Sequence, residues 1–463
     1  MSSVSVNDTA FAGSDRLLAG IVLSVLTFWL FAQSVLNVVP AMKSSMDISL
    51  ETLTLAVSLS ALFSGCFIVA SGGLADKFGR MRMTHVGLTL SIVGSLFLVL
   101  ADGPALFLAG RVLQGLSAAC IMPATLALIK TWYEGRARQR AISFWVIGSW
   151  GGSGLCSFVG GAIATGLGWR WIFVFSIAVA LLALLLLRGA PESRSPDARQ
   201  QKLDVSGLLS LIAFLVLLNL FITKGHAWGW SSGITLAMLA GSLITGGCFL
   251  FISRRKGEAA LIDLALFRNR AYGAAVLSNF LLNGSVGTMM IASIWLQQGH
   301  GLSPLETGMM TLGYLVTVLV MIRVGEKLLQ RYGARLPMMT GPLITATGII
   351  LISCTFLDKS LYIATVIFSY TLFGLGLGCY ATPSTDTAVV NAPESKVGVA
   401  SGIYKMGSSL GGAMGIAVTA SLYALFLSSG MASAAQYALW FNAALCFGSM
   451  VVSALLLPRS AHS

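Results

Sequence analysis

Runs of about 20 apolar residues recur along the whole chain, separated by short polar turns. Each has the length that a hydrocarbon layer of roughly 30 Å demands of a helix. Fourteen spans are predicted, at 17–40, 52–74, 84–101, 106–129, 142–167, 171–188, 205–223, 233–252, 272–297, 306–323, 336–357, 361–383, 399–427 and 436–457. The alternation that marks a membrane barrel is not visible, and lipid offers no partner to an open backbone edge. The predicted fold class is therefore an all-α integral membrane protein.

The pattern repeats at an offset of about 250 to 260 residues. Gly79 after Phe78 corresponds to Gly333 after Tyr332, and Pro123 near the end of span four corresponds to Pro383 near the end of span twelve. In span five, Gly148-Ser149 followed by Gly151-Gly152 corresponds to Gly407-Ser408 followed by Gly411-Gly412 in span thirteen. Such repeats are the mark of transporters whose halves rock about a central site. Six spans per half leave spans seven and eight over. The predicted organisation is a tail at 1–16, a six-helix bundle at 17–188, linkers carrying two additional helices at 189–271, a second six-helix bundle at 272–457 and a tail at 458–463.

Composition agrees: 56% of the 463 residues are hydrophobic and 10% charged, too few charges to cover a soluble domain of this size. A net charge of +12 raises the question of nucleic acid, and the distribution of the bases answers it. With the N-terminus inside, 23 of the 29 Lys and Arg fall in cytoplasmic segments. Four (Lys43, Arg170, Lys224, Lys359) fall outside, and Arg111 and Lys405 lie within spans. That is a positive-inside pattern, which puts both termini in the cytoplasm and makes the lipid bilayer, not nucleic acid, the partner. The seven cysteines and four histidines show no metal or disulfide spacing, and no phosphate-cradling Gly-x-x-x-x-Gly-Lys-Ser/Thr occurs. An ATP-driven pump, a metal site and a cofactor are therefore not expected. A membrane enzyme lacks its clustered nucleophile, and a channel lacks its ring of charges.

The run from Gly72 to Met83 carries Asp76, Lys77, Arg80 and Arg82 between two apolar stretches. It reads either as a basic hairpin turn or as a motif: it resembles the loop between spans two and three of the major facilitator superfamily, matching at Gly73, Ala75, Asp76, Gly79 and Arg80. Span four, Leu108 to Ala119 with Arg111, Gln114 and Gly115, is similar to that family's Arg-x-x-Gln-Gly pattern. The 6 + 2 + 6 layout and Gly168-Trp169-Arg170-Trp171-Ile172-Phe173 resemble its fourteen-span drug/proton antiporters. Thr27 to Ser34, Gly148 to Gly154 and Tyr380 to Thr387 are similar to the Nor-type quinolone-resistance efflux group over essentially the full length. Two positions depart: Cys156-Ser157 stands where span five usually has Gly-Pro, and Ala32 stands where span one often has an acid.

The resemblance implies two pseudo-symmetric six-helix bundles working by alternating access as a monomer in a bacterial plasma membrane. Amphipathic compounds (quinolones, biocides, dyes) would be exported in exchange for protons, with the proton-motive force in place of a cofactor. An exporter of an endogenous metabolite or lipid is the alternative. Gly73, Asp76, Gly79 and Arg80 would form a cytoplasmic gate, with Asp76 facing the N-terminal end of span thirteen near Gly398.

An Arg at mid-membrane is expensive, so Arg111 must face inward, either to hold backbone carbonyls or to set the protonation of a neighbour. Lys405 either snorkels or steers substrate. No Asp or Glu falls near a predicted midplane, which leaves Asp386, Glu326, Glu306 and Asp76 at span ends as proton-coupling candidates beside Arg111, with Asp386 favoured. Gln33 and Asn37 on span one, and Asn279 and Asn283 on span nine, stand one helical turn apart. They are interhelical glue or, with Trp29, Gln114, Phe280, Tyr314 and Tyr404, the lining of a substrate cavity. Gly148, Gly151, Gly152, Gly154, Gly160 and Gly161 of span five, with Gly407, Gly411, Gly412 and Gly415 of span thirteen, are expected to let helices approach, across the interface between the halves.

Overall fold

The computed structural model describes residues 12–48, 50–195 and 202–459, and every regular element among them is helical. Thirteen helices are long and apolar enough to cross a membrane, and the bent pair Gly135–Cys156 and Phe158–Gly166 supplies a fourteenth. The first half comprises α1 (Asp15–Leu26), α2 (Val35–Ser45), α3 (Leu50–Phe78), α4 (Arg80–Leu100), α5 (Pro104–Trp132), α6 (Gly135–Val146), α7 (Gly152–Gly166) and α8 (Arg170–Leu187). Two further helices follow, α9 (Val205–Trp228) and α10 (Gly233–Lys256). The second half comprises α11 (Arg270–Gly284), α12 (Gly287–Ile294), α13 (Pro304–Met310), α14 (Leu312–Tyr332), α15 (Arg335–Ile352), α16 (Lys359–Val390), α17 (Val397–Phe426) and α18 (Met431–Leu456). α1 and α2 form one interrupted span, joined by a π turn at Thr27–Phe31 and a 3-10 turn at Ala32–Ser34.

The repeat visible in the sequence is a repeat of turns and crossings. Gly79 (φ 128°) and Gly333 (φ 76°) both lie in the left-handed region, which lets the chain reverse between α3 and α4 and between α14 and α15. The long helices α5 and α16 each contain a proline, Pro123 and Pro383. Each also touches the preceding helix backbone to backbone. A Cβ on Gly94 or Gly110 would lie 2.9 or 2.8 Å from the other's carbonyl oxygen, and one on Gly341 or Gly376 would lie 2.7 or 2.4 Å away. Only small residues allow such crossings, which replace the hydrophobic drive that lipid removes.

The span formed by α6 and α7 bends by 51° at Cys156-Ser157, although no proline stands there. The cause is a side chain in the hydrogen-bond ladder: the Ser34 hydroxyl donates to the Cys156 carbonyl at 2.8 Å, and Gly160 leaves room for it, since a Cβ there would lie 2.6 Å from that of Ser34.

The additional pair α9/α10 packs on itself and then, through α9, on α3 of the first half and α17 of the second. Its ends are tied down by two acids. Asp204 caps α9 by accepting from Gly207 N–H (2.9 Å), and it also accepts from Leu261 N–H (3.0 Å) and the Lys256 ammonium (2.5 Å). Asp263 receives Lys396 at 3.2 Å, just before α17 begins.

Candidate functional site

Lys and Arg gather at one end of the bundle, in the turns around 77–82, 134–140, 254–270 and 331–335. At this basic end the halves are stitched together by polar contacts. Asp76, on the last turn of α3 and 2% exposed, accepts from the free backbone N–H groups of Gly398 (2.9 Å, Oδ1) and Val399 (3.1 Å, Oδ2) at the N-terminus of α17. The carboxylate thus completes two of the orphan donors that every helix start leaves, where the dipole favours negative charge. Arg80, one turn on, holds the same Oδ1 at 3.0 Å and donates to Thr131, Ser193 and the Glu394 carbonyl, so one guanidinium joins both halves. Gly72 makes the approach possible: its Cβ would lie 2.2 Å from the Gly398 carbonyl oxygen. Gly73 faces Leu261 beyond the additional pair, and Gly79 leaves space filled by the Glu192 carboxylate, which itself accepts from Met81 and Arg82 N–H.

A second set of contacts crosses nearby. Asp386 on α16 accepts from Arg138 Nε on α6 at 3.1 Å, and both side chains are largely buried. Lys130, near the end of α5, donates to the Val390 and Ala392 carbonyls that end α16, a cation against the negative end of a helix. Glu326 pairs with Arg323, accepts from Gln330 at 3.2 Å and is buried; the Arg323 guanidinium lies 4.6 Å from the Phe144 ring of α6.

The other predicted residues are placed differently. Arg111 is wholly buried, and its partners are neutral: the carbonyls of Ala32 (2.7 Å) and Ala56 (3.0 Å), Ser60 Oγ (2.6 Å) and Gln114 Oε1 (2.7 Å). It clasps the break after α1 and the helix α3 to α5. Gln114, expected at a cavity, is buried in the same clasp and donates to Ser95. Asn279 is fully buried and donates to the Tyr404 carbonyl and Ser408 Oγ, while Asn283 donates back to Asn279, so this pair binds α11 to α17. Tyr404 is buried with its hydroxyl against Ser384 and Thr385, and Tyr314 packs edge-on to Phe373 at 5.8 Å. Phe280 supplies the carbonyl against which Gly411 packs. Trp29 and Gln33 are partly exposed, and the Asn37 side chain lies outside the described residues.

The glycines correct an expectation. Gly148 and Gly152 pack on α1 and the π turn that follows, Gly160 on Ser34, Gly407 on Val276 and Gly411 on Phe280, each within its own half, and Gly161 meets nothing within 4 Å. Of the glycines in the α6/α7 span, Gly151 and Gly154 do face the other half, against Leu319 and Leu315; elsewhere Gly72 meets Gly398 and Gly402 meets Ile68 across the same interface. The reason is local: the interrupted span α1/α2 lies between α7 and the rest of its half and takes up the small-residue face.

Residues 17–267 and 271–463 match the family model described as the Major Facilitator Superfamily. The chain belongs to the major facilitator superfamily. Among curated members, the quinolone resistance protein NorB of Staphylococcus aureus strain MRSA252 is 51% identical over 450 residues, 97% of each chain, and that of strain MSSA476 is 51% identical over 451 residues, again 97% of each. Among solved structures, the proton:xylose symporter XylE aligns with a TM-score of 0.69 at 16% identity over 96% of each chain. A bacterial homologue of the iron transporter ferroportin in an outward-facing state aligns at 0.66 and 15%, over 95% and 98%. Those two likenesses show the same overall fold, and in chain order α9 and α10 stand between the two groups of eight helices.

Sequence reasoning missed Arg138 and Lys130, which carried no signal beyond their share of the positive charge at this end. It also missed Lys405 as a buried group: the residue is 6% exposed and sits between two indole rings.

Proposed function

We propose that this superfamily member is a secondary active exporter of amphipathic drugs, driven by exchange against protons. It works as a monomer in a bacterial plasma membrane, with the basic end and both termini in the cytoplasm and no cofactor beyond the proton gradient. The observation that carries the reading is full-length similarity, at 51% identity, to proteins named for quinolone resistance. The geometry fits alternating access. Asp76 on the N-terminus of α17, the Arg138–Asp386 pair and Lys130 on the end of α16 close the basic end, and each contact joins one half to the other. Coupling then acts on the seal rather than at a midplane acid. A proton taken up by Asp386 or Asp76 removes the charge that holds its partner and biases the bundle toward opening inward. Glu326 beside Arg323 supports this end, and the neutral clasp around Arg111, nearer the opposite end of α3 and α5, holds the first half together; neither joins that exchange.

Purified protein in liposomes with an imposed pH gradient, scored for a dye and a fluoroquinolone, tests the proposal. Accumulation that follows the gradient and is abolished in Asp386→Asn is expected. If no tested compound moves with the gradient, the drug reading gives way to export of an endogenous metabolite or lipid.

A further inference from the structure

Lys405 lies on α17 eight residues beyond its first residue, about 12 Å along the axis and so two turns deeper than the seal at Gly398. Its Nζ stands 5.6 Å from the Trp29 ring and 5.2 Å from the Trp145 ring, and among the described residues no hydrogen-bond acceptor reaches it. Among the described residues it pairs with no acid, and the buried acids of the basic end are committed elsewhere, Asp76 to α17 and Arg80, Asp386 to Arg138. An ammonium carries three donors, and ring faces satisfy a buried cation only in part. A second donor is orphaned at the same place: Trp29 Nε1 is buried without a partner, whereas Trp145 Nε1 donates to Thr125 at 2.9 Å.

The surroundings favour a ligand over a structural cage. Trp29 belongs to the π turn Thr27–Phe31, the kind of helix interruption that recurs at functional sites, and Gln33 lies partly exposed at the end of that break. The rings come from the first half and the lysine from the second, so the group sits where two moving bundles meet. Packing alone would be better served by methionine or leucine than by a charge that lipid and protein both penalise.

We infer that Lys405, with the Trp29 N–H, is the anion-recognition point of the transport site, and that it takes the carboxylate of an aromatic acid or zwitterion whose ring stacks on Trp29. The inference rests on the export reading for its context. It goes further in naming the substrate class: aromatic carboxylates are bound in preference to their neutral esters and to cations.

The test is equilibrium binding to the full-length protein in nanodiscs, with a fluoroquinolone, its ethyl ester and the cationic dye ethidium as probes. Wild type is expected to favour the acid over the ester by about tenfold or more, the least that a charge-assisted hydrogen bond contributes in a desolvated site. In Lys405→Gln that ratio collapses toward one and ethidium binds more tightly than to wild type, a gain that a misfolded protein cannot give. Lys405→Arg retains the preference. Equal affinity of wild type for acid and ester, or an unchanged ratio in Lys405→Gln, overturns the inference and leaves the export reading standing. Liposomes that accumulate none of the tested compounds defeat the drug-export reading, and the acid-to-ester ratio still decides Lys405.

Discussion

Replacing Asp76 with asparagine keeps the shape of the side chain and removes its charge. Oδ1 and Oδ2 now accept from Gly398 N–H, Val399 N–H and the Arg80 guanidinium. An amide has one oxygen, so at least one of these donors then faces an NH2 group, and the favourable alignment with the α17 dipole disappears. A hydrogen bond to a charged group is worth about 1.5–3 kcal/mol, and a charge on a helix terminus adds up to about 2 kcal/mol when partly buried. Arg80 keeps Thr131, Ser193 and the Glu394 carbonyl, which moderates the loss. A net cost of about 2 kcal/mol to the sealed state is a factor of about 30, enough to turn a split of about 97 to 3 into an even one. Spin labels on Glu134→Cys and Lys327→Cys, exposed residues of opposite halves at the basic end, read that split as a distance distribution. A distribution within a factor of three of wild type in Asp76→Asn would refute the seal.

Gly72→Val should disfavour the same state by sterics alone, since the new Cβ meets the Gly398 carbonyl; the label pair then reports an open basic end with Asp76 intact. Arg138→Asp combined with Asp386→Arg should restore part of the sealed population that either single change loses, which a pure proton carrier at Asp386 would not do. Arg111→Gln strands the Ala32 and Ala56 carbonyls and should cost about 3 kcal/mol, seen as a lower melting temperature in detergent. Asp204 is desolvated, which raises its carboxyl, but Lys256 and the Gly207 and Leu261 N–H groups outweigh that and hold it below the usual carboxylate range. Its contribution is therefore fully present above about pH 4 and lost as pH falls through the lower folded value. The melting difference between wild type and Asp204→Asn should be constant from pH 5 to 8 and shrink toward pH 3.

What the sequence made legible and what it hid divide along physical lines. Span lengths, the side bearing the bases and the turn at Gly79 depend on local composition and on a backbone angle only glycine adopts freely, so they could be read one segment at a time. The pairing of Asp76 with α17 was accessible only through the family resemblance, which implies that the motif's acid faces the start of a helix in the other half. Arg138 and Lys130 were not, because their partners lie about 250 residues away, and a surface base and a gating base look alike in a string. The polar pair Asn279 and Asn283 shows the limit of periodicity: spacing put them on one face, but not whether that face meets a neighbouring helix or a passage.

The inserted hairpin α9/α10 leans on α3 and α17 together, the two helices whose backbones touch at Gly72 and Gly398. The side chains at that crossing are polar, Asp76 and Arg80, and Leu261, just after the hairpin, covers Gly73 beside them. Deleting the inserted segment to make a twelve-helix version would remove Leu261 from Gly73 and α9 from α3 and α17, so a shortened protein would need bulk restored on those faces before it could be expected to cycle.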